Sequence, residues 1–189
     1  YYDAVLWAVA KGVTAGTTST TFSPDMAVTR AQMVTFLWRA QGSPKVAGSN
    51  PFADVNQDAY YYDAVVWGLS RGVVNGTTMT TFSPDLSCTR AQAVTFLWRA
   101  AGRPEPSGNT AFADVPADSY YAAAVAWAAE NNVTNGTGSG CFSPDAPCTR
   151  AQIVTFLWRA AGEPESSGST AFADVPAGSY YAAAVAWAA

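Results

Sequence analysis

The chain has 189 residues, of which 49% are hydrophobic and 13% are charged, so it can bury a sizeable core and is not a disordered tail. Its net charge of −4 disfavours nonspecific binding to nucleic acid. Histidine is absent, which excludes Ser-His-Asp and Cys-His catalysis and removes the commonest metal ligand. We therefore expect no catalytic residues, no metal and no cofactor.

A period of about 60 residues runs through the whole chain and indicates an array of one structural unit. Three series show it without insertion or deletion: Arg30, Arg90 and Arg150; Phe22, Phe82 and Phe142; Asp54, Asp114 and Asp174. We divide the array into units 1–51, 52–111 and 112–171. The remaining residues, 172–189, begin a further unit or supply a helix that completes the assembly. Because the chain starts and stops in mid-unit, we expect it to be a piece of a longer protein.

Each unit contains a predicted first helix, illustrated by "SYYAAAVAWAAENNVTNG" in the third unit. Ser119 is the candidate N-cap, and Asn135 with Gly136 is the predicted stop. The apolar positions recur at helical spacing: Tyr121, Ala124, Val125 and Ala128. The tryptophans of the first and second helices are expected in the core: Trp7, Trp67, Trp127, Trp187, Trp38, Trp98 and Trp158.

A loop of about a dozen residues follows, in which Ser143-Pro144-Asp145 is typical of a turn and Phe142 is predicted to be buried and to anchor the loop in the core. The second helix then begins at "TRAQ". Thr149 and Gln152 have the spacing of a capping box. The apolar stripe comprises Ile153, Phe156, Leu157 and Ala160, and Gly162 with Pro164 ends the helix. Between units, the short word "FADV" is too apolar to lie free in solvent. No apolar run is long enough to span a bilayer.

The arginine of "TRAQ" stands at the first helical position, where the helix dipole disfavours a cation by roughly 0.3–1 kcal/mol. By contrast, the dipole favours the arginines of the last turn: Arg39, Arg99 and Arg159. An arginine beside free helix N–H groups predicts a site for carboxylate or phosphate at Arg30, Arg90 and Arg150. The alternative is an ion pair with the aspartates of "FADV" or with Asp25, Asp85 and Asp145 of "FSPD". A third reading has the aspartate orient the arginine for an outside anion.

Cysteine and tyrosine add two further expectations. Cys141 and Cys148, seven residues apart in one unit, are the candidates for a short-loop disulfide in an exported protein, whereas Cys88 reads as a small buried apolar residue. Tyrosine pairs open the first helices, and an outward tyrosine near an arginine, such as Tyr61 or Tyr121, is typical of a sugar-binding groove.

The order "F-x-D-V", Tyr-Tyr, "V-x-N-G-T", "F-S-P-D" and "T-R-A-Q" resembles the S-layer homology repeat of bacterial cell-surface proteins, over essentially the whole chain. The resemblance implies a mainly α fold: three tandem helix-loop-helix repeats packed as a pseudo-threefold trimer around a central helical bundle. It implies an extracellular module that anchors a protein to the cell wall of a Gram-positive bacterium. The grooves between repeats would hold the secondary cell-wall polymer of peptidoglycan, often through its pyruvyl-ketal carboxylate, and membrane insertion is not implied.

The family's best-known motif is Thr-Arg-Ala-Glu, whose arginine contacts the ligand, so the resemblance assigns that role to Arg30, Arg90 and Arg150. Asp54, Asp114, Asp174, Tyr61 and Tyr121 join them as candidate contacts with an anionic polysaccharide. Glutamine replaces the family's glutamate at Gln32, Gln92 and Gln152, which a capping box tolerates. This change frees the arginine for an anion or marks a branch that binds another polymer. The alternative function is an adhesin-like repeat array that binds host or neighbouring surface proteins.

Overall fold

The computed structural model describes residues 1–165 and 171–175. These residues form six helices and no β-strand, only isolated bridges between loops. The helices, in chain order, are α1 (Tyr2–Ala10), α2 (Arg30–Ala40), α3 (Tyr62–Ser70), α4 (Arg90–Ala100), α5 (Ala122–Glu130) and α6 (Arg150–Ala160). None of them combines the length and the apolar character needed to cross a bilayer.

The second helix of each unit begins as predicted. In α2, the Thr29 hydroxyl accepts a hydrogen bond from the backbone N–H of Gln32, and the Gln32 side chain accepts one from the backbone N–H of Thr29. The same reciprocal pair caps α4 and α6, so all three capping boxes are confirmed. At the other end of α6, Gly162 has a φ of 84°, the left-handed conformation that ends helices and favours glycine.

The first helices differ from the prediction at both ends. Helix α5 is capped by Tyr121 without a side-chain hydrogen bond, while Ser119 lies in a preceding turn, where its carbonyl accepts from Ala122 N–H at 3.1 Å. The helix ends at Glu130, before the predicted stop at 135–136. Asn132 adopts a φ of 56°, and the chain then turns inward to bury Val133. Ser119 was therefore wrong as the cap, and the helix is shorter than its apolar pattern suggested.

The three second helices contact one another and form a central bundle. Each first helix packs on the second helix of the unit before it: α3 on α2, α5 on α4 and α1 on α6. The contact between α1 and α6 joins the first unit to the last, which closes the set into a ring. The expected pseudo-threefold arrangement around a central helical bundle is confirmed. Its core includes the predicted anchors Phe22, Phe82 and Phe142, all fully buried.

Backbone hydrogen bonds close a second ring at the N-terminal end of the bundle. Val28 N–H donates to Cys148 O at 2.9 Å, Cys148 N–H to Cys88 O at 2.9 Å, and Cys88 N–H to Val28 O at 2.8 Å. We call these three residues the central ring. Each unit thus both donates one hydrogen bond and accepts one, so that no backbone polar group is left over at the buried axis.

The "FADV" segments pack inward, as their apolar character predicted. Val55, Val115 and Val175 are buried. The last of these segments lies beside the first unit: Ala173 N–H donates to Thr20 O at 2.9 Å, and the ring of Phe172 lies 5.7 Å from that of Phe22. The helix expected within 179–189, with Trp187, lies outside the described residues.

Candidate ligand-binding groove

The arginine at the start of each second helix reaches into the neighbouring unit. Arg30 is 4% exposed; its Nε donates to Phe82 O and its Nη2 to Asn75 O, both at 2.9 Å. Arg150 repeats this arrangement with Phe22 O at 2.8 Å and Ala15 O at 2.7 Å. Arg90 Nε donates to Phe142 O at 2.8 Å. Each arginine therefore bridges two units.

Aromatic rings enclose these guanidinium groups. Arg30 Cζ lies 4.7 Å from the centre of the Phe82 ring and 5.6 Å from that of Phe96. The other two arginines lie over the equivalent pairs of phenylalanines. Burial lowers the pKa of Arg30, and the nearby Asp54 carboxylate opposes that effect. A cation held between aromatic faces and carbonyl oxygens keeps its charge in a poorly hydrated place.

The backbone N–H groups at the helix start are occupied, which differs from the sequence expectation of free donors. Arg30 N–H donates to Leu86 O at 2.9 Å and Ala31 N–H to Pro84 O at 3.0 Å, both in the "FSPD" loop of the next unit. The same loop-to-helix bonds recur in the other two units. An anion in the groove would therefore meet side chains rather than the helix end.

The "FADV" aspartates bind the backbone of the "FSPD" loop, and a carbonyl of the same loop accepts a hydrogen bond from the arginine. The carboxylate of Asp54 accepts hydrogen bonds from Phe82 N–H at 2.8 Å and Ser83 N–H at 2.7 Å, and Phe82 O in turn accepts from Arg30. Asp114 does the same for the third unit and Asp174 for the first. The aspartate thus reaches the arginine through one peptide group.

Direct pairing of the "TRAQ" arginines with these carboxylates is not what the geometry favours. The carboxylate oxygens of Asp54 are taken up by backbone N–H groups, and the ion pair at 3.9 Å between Arg159 and Glu163 involves neither set of residues. Asp25, Asp85 and Asp145 of the "FSPD" turns are exposed. The contacts favour the arrangement in which an aspartate orients the arginine over a direct ion pair between the two.

A groove of about 370 Å³ opens beside Arg30, between the units; we call it the Arg30 groove. Its lining residues are Arg30, Asn75, Gly76, Thr77, Gln92, Thr95, Phe96, Arg99 and Tyr120. They bring two cations, amide and hydroxyl groups and one exposed aromatic ring together, and they include neither aspartate nor glutamate. Such a lining suits an anionic, hydroxyl-rich ligand.

The exposed tyrosines are not the ones that the sequence indicated. Tyr61 and Tyr121 are half-buried and pack against the core, whereas Tyr60 and Tyr120 are 59% and 62% exposed. In each pair the two rings meet edge to face, at 5.1 Å and 5.0 Å. Burial raises the pKa of the Tyr60 hydroxyl, and the charge of the nearby Arg39 opposes that effect. Tyr60 and Tyr120 lie in the turn before the helix, and that turn determines which tyrosine of each pair faces outward. The helical period of the apolar residues could not predict this orientation.

The three cysteines carry free thiols. The predicted disulfide between Cys141 and Cys148 is absent from the structure, because Cys148 is fully buried in the central ring whereas Cys141 lies half-exposed in its loop, with its thiol directed to Ser139 O at 3.8 Å. Cys88 is fully buried, as expected. The part of the chain described here contains no cluster of three or more side chains placed to hold a metal ion.

Comparison with known proteins identifies the repeat. A family model described as the S-layer homology domain matches residues 1–34, 51–94 and 111–154, which together make up more than half of the chain. A cell surface protein of Thermoanaerobacter kivui is 33% identical over 121 residues, 61% of this chain and 16% of that protein. An endoglucanase of Bacillus sp. (strain KSM-635) is 32% identical over 159 residues, 79% of this chain and 17% of that enzyme.

A third relative, the surface-layer 125 kDa protein of Lysinibacillus sphaericus, is 32% identical over 113 residues, 59% of this chain and 10% of that protein. The chain spans less than a fifth of the length of these relatives. S-layer homology domains are non-catalytic modules that anchor proteins at the cell surface and bind cell-wall polymers. The three matched segments, the helical-pair repeats and the surface-protein relatives agree: this chain belongs to the S-layer homology domain family, and it is a cell-surface protein.

Proposed function

We propose that the chain anchors its protein non-covalently to the cell wall by binding an anionic secondary cell-wall polysaccharide in the grooves between units. The observation that carries this proposal is the Arg30 groove, in which Arg30 and Arg99 meet no lining carboxylate. A pyruvyl-ketal carboxylate on a sugar is the group that we place there. Its two oxygens match the fork of an arginine, and the sugar hydroxyls match amide and hydroxyl partners such as Asn75 and Gln92.

Within this proposal the aspartates and tyrosines take different roles from those expected. Asp54 has both carboxylate oxygens engaged by backbone N–H groups, so we assign it to positioning the loop rather than to contacting the polymer. Tyr120 lies at the groove with its ring exposed, where it can stack on the apolar face of a sugar. Tyr61 and Tyr121 support their exposed neighbours from behind.

Repetition of the groove would strengthen weak binding. A polymer presents the same anionic group many times, and linked sites gain from the high effective concentration of the second and third contacts. Tyr60 and Arg39 occupy the equivalent place one unit earlier, which supports a second, similar groove in which Ala15 stands in the position of Asn75. The module then needs only modest affinity at each site to remain on the wall.

The test is co-sedimentation with cell-wall sacculi, either intact or chemically stripped of secondary polymer. The informative variant replaces the last-turn arginines together: Arg39→Gln, Arg99→Gln and Arg159→Gln. The hydrogen bonds of these side chains to carbonyls are long, at 3.4 to 3.5 Å, and the ion pair of Arg159 at 3.9 Å is to the exposed Glu163, so the fold should tolerate the change. A matched control removes the same number of positive charges at exposed positions away from the Arg30 groove: Lys11→Gln, Lys45→Gln and Arg71→Gln.

We expect the native chain and the control to sediment with intact walls and not with stripped walls, and the arginine variant to lose most of its binding. Tyr120→Ser should weaken binding without unfolding the chain, because the ring is mostly exposed. If the native chain ignored intact walls of its own source, the anchoring proposal would fail and a protein-binding array would become the better explanation. Equal binding by the arginine variant and the control would exclude the groove as the site.

A further inference from the structure

The central ring brings two thiols of different units together on the axis of the bundle. Cys88 and Cys148 are each 0% exposed, and the third member of the ring is Val28. The backbone N–H of Cys148 donates to Cys88 O at 2.9 Å, so the two residues belong to adjacent, hydrogen-bonded segments. Neither thiol has a role in the groove described above.

The pairing of these segments places the two residues opposite each other. Thr89 and Pro147 form an antiparallel bridge, flanked by the bonds Cys148 N–H to Cys88 O and Arg90 N–H to Ala146 O. The residues one step beyond such a bridge also lie opposite each other, which makes Cys88 the partner of Cys148. Cys88 N–H donates to Val28 O, so a single backbone hydrogen bond joins Cys88 and Cys148; opposed residues of antiparallel segments have Cα atoms about 4.5–5.5 Å apart. That separation falls within the range of about 4.4–6.8 Å that a disulfide requires.

We propose that Cys88 and Cys148, which are free thiols in this structure, form a disulfide bond across the central ring under oxidising conditions and so covalently join the second and third units. The oxidant is a small-molecule disulfide. One cysteine thiolate attacks it, forming a mixed disulfide and releasing one small thiolate; the second cysteine thiolate then attacks the mixed disulfide and releases the other. The two protons lost by the protein thiols are taken up by the two small thiolates, and the two electrons leave with them. A cell-surface protein lies outside the cytosol, in an oxidising environment in which disulfide bonds persist.

Burial decides when the bond can form. Desolvation raises the pKa of the Cys148 thiol to about 12 and raises that of Cys88 as well, so the closed ring holds almost no thiolate. The bond should therefore form while the chain folds, before the ring closes, and a chain already folded in reduced form should react slowly. Cys141 is half-exposed in its loop, outside the ring.

The experiment refolds the reduced, denatured chain with a mixture of oxidised and reduced glutathione, and alkylates the remaining thiols under denaturing conditions. Digestion without reduction uses trypsin and a protease that cleaves at aspartate, so that Asp145 separates Cys141 from Cys148. We expect mass spectrometry to find one pair of peptides joined through Cys88 and Cys148, with Cys141 alkylated. Reduction should lower the Tm of this oxidised chain by roughly 10 °C, as expected for a bond closing a long loop.

Two variants keep the test decisive. Cys88→Val introduces the residue that the first unit already has at Val28, so it should fold, show no cross-link and have a Tm unaffected by reduction. Cys141→Ser removes the competing thiol and should still form the Cys88 to Cys148 link. Complete alkylation of all cysteines after oxidative refolding, or a link between Cys141 and Cys148 in the native chain, would overturn the proposal.

Discussion

Replacing Arg30 by alanine should destabilise the whole ring of units, even though the residue lines a groove. Its two hydrogen bonds to Phe82 O and Asn75 O are both 2.9 Å long. Hydrogen bonds from a charged donor each contribute roughly 1.5–3 kcal/mol, and the contact with the Phe82 ring adds about 0.5–2 kcal/mol. The desolvation that lowers the Arg30 pKa offsets part of this sum. We expect a net loss of about 3 kcal/mol in the free energy of unfolding.

The assay is urea and thermal unfolding followed by circular dichroism. A loss of about 3 kcal/mol corresponds to a fall in Tm of roughly 6–12 °C for a domain of this size. Arg71→Ala is the control, because its side chain is exposed, and it should change stability by less than about 0.5 kcal/mol. If Arg30→Ala lost less than about 1 kcal/mol, the bridging role inferred from the two carbonyl contacts would be refuted. The arginine would then serve the ligand alone.

Three further predictions concern the local devices that hold the fold. Gln92→Ala removes half of a capping box and should cost about 1 kcal/mol in urea unfolding, whereas Gln92→Glu should cost almost nothing; equal losses would contradict the role of the cap. A Cβ atom on Gly76 would lie 2.3 Å from Thr78 O, so Gly76→Ala should lower Tm strongly, whereas at Gly108 no atom lies within 4 Å and the same change should leave Tm nearly unaltered. Although burial raises the pKa of Asp174, its backbone N–H bonds and a nearby arginine bring the value below that of an ordinary aspartate. Its stabilisation is therefore present above the unfolded pKa and is lost as pH falls through the folded one. Acid unfolding below about pH 4 should be less steep in Asp174→Asn, and an unchanged acid profile would refute this reasoning.

The second helices and the repeat period were predictable because their signals lie within a few residues of one another. A capping box spans Thr89 to Gln92, and the hydrophobic stripe follows directly, so local chemistry decides the element. The family resemblance added the threefold packing, which no local pattern contains.

What could not be predicted depends on partners distant along the chain. The acceptors of Arg150 are Phe22 O and Ala15 O, more than a hundred residues away, and no spacing rule links them. The same holds for Cys148, whose neighbour on the axis comes from another unit and not from its own loop. At the helix starts, the turn before α3 and not the apolar period orients Tyr60 and Tyr61.

The contact between α1 and α6 limits how such a protein can grow in evolution. In a linear solenoid, duplication of one repeat lengthens the stack and leaves both ends as they were. Here each of the three described first helices already covers the second helix of its neighbour, and the backbone bonds of Val28, Cys88 and Cys148 are all used within the set of three. One extra unit would find no vacant neighbour, and one missing unit would expose two apolar faces. Duplications that preserve packing should therefore occur in whole sets of three.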